Sequence, residues 1–259
     1  MQFFKDVKKY KNYIKYATRS DLEAEVTNAY LHWIWWILEP VCNMLIYYFI
    51  FGYVFKNDEQ YYLVFIYSAI TMWNFFNKIL NISVELVRNS RSIISKIYVP
   101  KTVILLQKMR VCAFKMLISV GIVIILMIPY RVSVDWHLIL LIPDVLSFVL
   151  FTYGVSCIFM HYGVFVEDLS YVISIVLRML TYFTGIFYSV ATKIPAPYGE
   201  ILETANPLAF YIASMRNALM YKSGYSFKIW LFWTFIAFAL SVIGTRLVYK
   251  NENNYVKVI

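Results

Sequence analysis

Leu138–Met160 reads LILLIPDVLSFVLFTYGVSCIFM. Its polar interruptions, Pro143 and Asp144, lie near the beginning, and Asp144 is the only charge. At about 1.5 Å per residue a helix of this length measures about 34 Å, enough to cross the ~30 Å hydrocarbon core of a bilayer. Five further runs have the same character: 33–55, broken only by Glu39 and Pro40, then 62–80, 104–128, 171–190 and 229–248. The expectation is a single-domain, all-α membrane protein over residues 1–259, with six transmembrane helices. Composition agrees. Of 259 residues 61% are hydrophobic and 15% charged, against about 45–50% and about 25% in a soluble domain. That surplus needs a second apolar solvent, which lipid provides.

The segments between the runs carry the charge. Residues 1–28 are basic, with Phe3, Val7, Tyr10, Ile14 and Ala17 at helical spacing and lysines on the other faces. This predicts an amphipathic helix lying on the cytoplasmic membrane surface. Seventeen Lys and Arg fall in 1–28, 78–115 and 246–259, against six in 56–61, 129–137 and 191–228. The positive-inside rule therefore puts both termini in the cytoplasm. The net charge of +9 is explained by topology, and no nucleic-acid partner is expected. Two longer connections remain. Residues 81–101 form a basic cytoplasmic segment ending at Pro100, which disfavours helix at Val99 and sets a sharp turn into the third run. Residues 191–227 form an outer segment in which Asn206-Pro207 precedes a short helix-like run, suited to external helices packed on the bundle.

Catalytic motifs are not visible. The eight glycines are scattered, and none begins a GxxxxGK[ST] phosphate loop, so ATP hydrolysis is not expected of this chain. His32, His137 and His161 are isolated. Cys42, Cys112 and Cys157 lie in apolar stretches without metal-ligand spacing, and no metal or other cofactor is expected. Glu167-Asp168 sits at a cytoplasmic turn, where neighbouring side chains diverge. Two of the charges inside the runs invite pairing. Glu39 lies six residues past Trp33 and Arg178 seven past Tyr171, at equal depth and of opposite sign. They suggest a buried ion pair between spans one and five, within one subunit or across a dimer; water, a headgroup or Lys115 are alternative partners.

Several blocks resemble the permeases of the ABC-type polysaccharide, O-antigen and teichoic-acid export family. Asp21-Leu22, Leu31, Trp33, Trp35-Trp36, Glu39-Pro40 and the run Asn43–Phe49 resemble that family's approach to its first span. Trp73-Asn74-Phe75-Phe76, Ile94-Ser95-Lys96-Ile97-Tyr98-Val99-Pro100-Lys101, Glu167-Asp168-Leu169 and Asn206-Pro207-Leu208 with Met215-Arg216-Asn217-Ala218-Leu219 follow in the family's order. His32 and Glu167 depart from its usual Gly and Arg. The resemblance implies a homodimer in the cytoplasmic membrane of a bacterium, joined by two copies of a separate ATP-binding subunit that carries ATP and Mg²⁺. It also implies outward movement of a lipid-linked glycan or polyol-phosphate polymer. By the same resemblance 81–101 is a coupling segment, with Arg91, Ile94, Lys96, Tyr98, Pro100 and Lys101 as ATPase contacts. The outer stretch 191–227 is a gate, with Asn206, Pro207 and Arg216 as its marked residues. The 19% aromatic content suits a sliding sugar chain. Trp35, Tyr48, Trp73 and Phe76 are the lining candidates, with interface belts and interhelical packing as their alternative. Other readings are an exporter of a drug or glycolipid, and a non-transport membrane assembly protein.

Overall fold

The computed structural model describes residues 2–27, 30–57, 59–132 and 135–258, with the backbone alone for residues 32 and 256–258. Residues 1, 28 and 259, where expected segments begin or end, lie outside the described residues. All described secondary structure is helical. The order is α1 (Gln2–Lys9), α2 (Lys11–Thr27), α3 (Trp35–Tyr47) continued by a π-helical stretch Tyr48–Val54, α4 (Tyr62–Asn89), the single turn α5 (Arg91–Ile94) and α6 (Lys101–Met127). There follow α7 (Leu141–Phe165), α8 (Leu169–Phe183), α9 (Val190–Lys193), α10 (Tyr198–Ala205), α11 (Pro207–Arg216) with a π-helical end Asn217–Tyr221, and α12 (Phe227–Val258).

Among the described residues five helices are long and apolar enough to cross a membrane: Trp35–Val54, Tyr62–Asn89, Lys101–Met127, Trp136–Phe165 and Phe227–Tyr255. The expected span 171–190 is not among them. α8 is apolar but ends at Phe183, about 22 Å by helical rise. The chain turns at Gly185, whose φ of +68° belongs to the left-handed region that favours glycine. Two other boundaries also differ. α4 continues unbroken to Asn89, so the connection expected at 81–101 shrinks to residues 90–100, and α12 runs on to Val258.

α4 is the axis of the bundle. In its apolar window 78% of residues are buried, against 6% for α3. α7 packs on both α4 and α12. Where α7 crosses α12, a Cβ on Gly154 would fall 2.6 Å from the Ser241 amide nitrogen, and one on Gly244 would fall 2.7 Å from Cys157 Cβ. Glycine at both positions lets the two backbones approach closely. The N-terminal helices are strapped to this frame. Asp21 of α2 accepts from Gln107 at 2.9 Å and from Lys108 at 2.5 Å on α6, and Glu25 pairs with Lys115.

Candidate functional site

α3, α4 and α6 enclose a polar cleft of about 380 Å³. α4 supplies Asn74, Asn77 and Asn81, whose spacing puts them on one helical face. Lys78 stands beside them, Glu39 and Asn43 line the α3 side, and Lys115 and Ser119 line the α6 side. Asn81 Nδ2 donates to the Asn77 carbonyl oxygen at 2.8 Å and to Asn77 Oδ1 at 2.7 Å. Pro40 has no N–H, so the carbonyl of Trp36 loses its helical partner, and both residues line the cleft. Carboxamides donate and accept together, a carboxylate accepts, and ammonium groups donate. Trp36 adds a ring. A set of this kind within apolar helices is costly unless it meets water or a polar ligand.

Glu39 and Arg178 are not a buried pair within the chain. Both are exposed, and no ion pair joins them. Glu39 instead faces the cleft that Lys78 and Lys115 share. The aromatic candidates divide. Trp35 and Tyr48 are 46% and 37% exposed. Trp73 and Phe76 are buried, packed together with ring centroids 6.2 Å apart and, through Phe76, on Phe151 of α7. Within this chain Trp73 and Phe76 are taken up by helix packing.

The connection between α4 and α6 has an outward and an inward half. Arg91 and Lys96 are exposed and Ile94 is half-buried. Ile93 and Ile97 add exposed apolar surface. Pro100 and Lys101 are buried. Lys101 Nζ lies 3.4 Å from Glu252 Oε1 of α12, and that oxygen accepts from the Lys101 amide at 3.1 Å. Glu252 therefore caps α6, whose preceding residue is a proline without a capping side chain. The Tyr98 ring is exposed, but its hydroxyl donates to Glu252 Oε2 at 3.2 Å, and its carbonyl accepts from Tyr10 at 3.0 Å. Burial, reinforced by the Glu252 charge, pushes the Tyr98 hydroxyl up to about 12, so it stays protonated and donating. Lys101 is an internal strut and offers no surface for a partner.

The short helices after α8 are tied by their marked residues. Asn206 caps α11, accepting from the amides of Leu208 at 3.0 Å and Ala209 at 3.5 Å, and Pro207 takes the first helical position. Arg216 is 5% exposed. Its guanidinium lies over the Phe65 ring, 3.4 Å from the centroid. It donates to the carbonyls of Phe65 at 3.2 Å, Gly185 at 2.8 Å and Ile186 at 2.8 Å. α11 is buried on almost every face, so it is inserted into the bundle and held there by Arg216, while α9 and α10 stay largely exposed.

A family model for the membrane part of ABC-2 type transporters matches residues 18–220, which contain the cleft, the turn at 90–100 and the short helices α9–α11. The chain belongs to the ABC-2 type transporter family. Two relatives of this ABC-2 chain are O-antigen export system permease proteins of Klebsiella pneumoniae. They are 27% and 28% identical over 245 and 247 residues, covering 93% of each chain. A third, from Myxococcus xanthus, has the same description and is 19% identical over 222 residues, 86% of this chain and 85% of its own.

Two parts of this ABC-2 permease were not anticipated from its sequence. The Asn74, Asn77, Asn81 face had a readable signal, three carboxamides at helical spacing in and after an apolar run. Glu252 had none, because it meets the α6 terminus across 151 positions of chain.

Proposed function

We propose that this chain is the transmembrane subunit of an ATP-driven exporter that moves a lipid-linked polysaccharide outward across the cytoplasmic membrane. A separate ATP-binding subunit, in two copies, drives a homodimer of this chain. The observation that carries the reading is the full-length likeness to O-antigen export permeases, together with a cleft whose carboxamide, carboxylate and ammonium groups suit a polyhydroxylated ligand. Teichoic-acid-like polymers share that chemistry and stay within the proposal.

Six crossings with both termini cytoplasmic complete the reading. α8 serves as the short crossing, and the short helices α9–α11 fill the rest of the bilayer beyond its end. Irregular backbone at membrane depth must be buried in protein with its polar groups satisfied. Arg216 meets that need at Gly185 and Ile186. The exposed faces of α3 and α8, which carry Trp35 and Arg178, are where the second copy packs. The exposed residues Arg91, Lys96 and Ile97 face the ATP-binding subunit.

The test is mass spectrometry of lipid-linked glycan in cells lacking the chain, restored with the wild type or with N77A/N81A. The glycan accumulates inside without the protein, and still accumulates with the cleft variant although its complex with the ATPase assembles. Deletion without accumulation refutes export of a glycan. Full export by the variant refutes the cleft.

A further inference from the structure

A second cavity shares no residue with the polar cleft. It is an open groove of about 910 Å³ between α6, α7 and α12, closed at one end by α1. Each helix gives it one face. α12 contributes Phe238, Val242 and Arg246, and α6 contributes Met109, Arg110 and Ala113, both at helical spacing. The walls are apolar, and Phe238 is 59% exposed.

The polar groups in the lining fall into two classes. Tyr153 and Thr245 bond each other at 3.0 Å, Ser241 donates to the Leu150 carbonyl at 2.9 Å, and Tyr249 donates to Asp6 at 2.7 Å. Arg110, Arg246 and Gln2 make no hydrogen bond or ion pair with a described residue, and no carboxylate lines the groove. Two free guanidiniums thus stand in the wall of a mainly apolar trough. From Phe238 to Arg246 is about 12 Å by helical rise, close to one leaflet's share of the ~30 Å hydrocarbon core. Both arginines lie in the half of their helix that adjoins the basic segments expected on the cytoplasmic side, Arg110 nine residues from the start of α6 and Arg246 twelve from the end of α12.

We propose that this groove binds a membrane phospholipid with an anionic headgroup, its acyl chain along α7 and α12 and its phosphate between Arg110 and Arg246. Guanidinium matches phosphate oxygens in paired hydrogen bonds, and basic pockets between helices at the cytoplasmic surface select anionic lipids. Gln2, at the start of α1, supplies a further donor. The bound lipid pins α1 against α12, beside the Tyr249–Asp6 bond. The proposal is independent of the exported polymer.

Native mass spectrometry of the full chain, released from detergent with dioleoyl phosphatidylglycerol or dioleoyl phosphatidylcholine at equal concentration, measures the preference. Two arginines near the surface give the anionic lipid an advantage of about thirty-fold, which R110Q/R246Q reduces to within about threefold. A113W, which fills the trough and keeps both charges, lowers the binding of both lipids. A polyprenyl phosphate is the third ligand. Equal binding of the two phospholipids by the wild type overturns the proposal. So does a preference that survives R110Q/R246Q, or displacement of phosphatidylglycerol by polyprenyl phosphate at a lower concentration, which assigns the groove to a lipid carrier.

Discussion

Replacing Arg216 with Met keeps the length and apolar stem of the side chain and removes every donor. The Phe65 carbonyl lies within α4 and also accepts from Ser68, so it keeps a partner. The Gly185 and Ile186 carbonyls accept from Arg216 alone among the described donors. Orphaning a buried acceptor costs about 1–3 kcal/mol, so the two together cost about 2–6 kcal/mol. The cation–π contact with Phe65 adds to this loss. The loss falls on the docking of α9–α11, because α4 is held by its own packing. Local opening of the 180–190 turn then rises by at least about thirty-fold, taking about 1.4 kcal/mol per factor of ten. Hydrogen–deuterium exchange of peptides over 180–190, in detergent or nanodiscs, reads that ratio directly. R216K keeps the charge but lacks the planar fork that reaches three carbonyls, and gives an intermediate value. Exchange in R216M within threefold of the wild type refutes the strap, as does an increase spread evenly over α4 and α7.

Glu252→Gln leaves the Lys101 ammonium buried without its counter-charge, a loss of about 3–5 kcal/mol. It lowers the melting temperature in detergent, and K101M/E252M recovers most of that loss. Gly244→Val drives a methyl-bearing carbon toward Cys157 Cβ and the Gly154 carbonyl, 2.7 and 2.9 Å away. It costs about 1–3 kcal/mol by overpacking, read as a lower yield of folded protein, whereas Gly121→Val, with nothing within 4 Å, is tolerated. In a background without the native cysteines, Gly224→Cys reacts with an impermeant thiol reagent in intact cells and Ser92→Cys only after permeabilisation; the reverse pattern overturns the topology.

What could be read from the sequence follows the range of the interactions. Helix class and five long apolar helices come from composition and run length, which are local. The Asn206-Pro207 cap is local too, and the side chain forms the bonds that its position implies. The end of α8 was missed because Phe187 and Tyr188 continue the apolar character past the turn, while the backbone stops at one glycine. The burial of Trp73 and Phe76 was not legible, because aromatic content does not say which side of α4 faces its neighbours. The asparagines on α4 carry that information more directly, since a polar group is costlier to misplace than a ring. Lys101 reads as surface charge until its partner is known. Its burial depends on Glu252, and no local pattern links residues so far apart.

The placement of these bonds says which parts of the permease can move. The α6 terminus is tied to α12 through Glu252, and α12 meets α7 at Gly154 and Gly244. α7 meets α4, and Arg216 fastens α11 to α4. A push on the turn at 90–100 therefore reaches α6, α7 and α12 as one body, because close-packed helices switch between arrangements and do not deform continuously. α3 is outside this body. Its apolar window is 6% buried, Pro40 interrupts its backbone hydrogen bonds, and it forms one wall of the polar cleft. The wall that carries Glu39 is thus the one least held by the rest of the chain. Relative motion of the cleft walls therefore falls between α3 and α4, and the asparagine face stays with the α4–α7–α12 body.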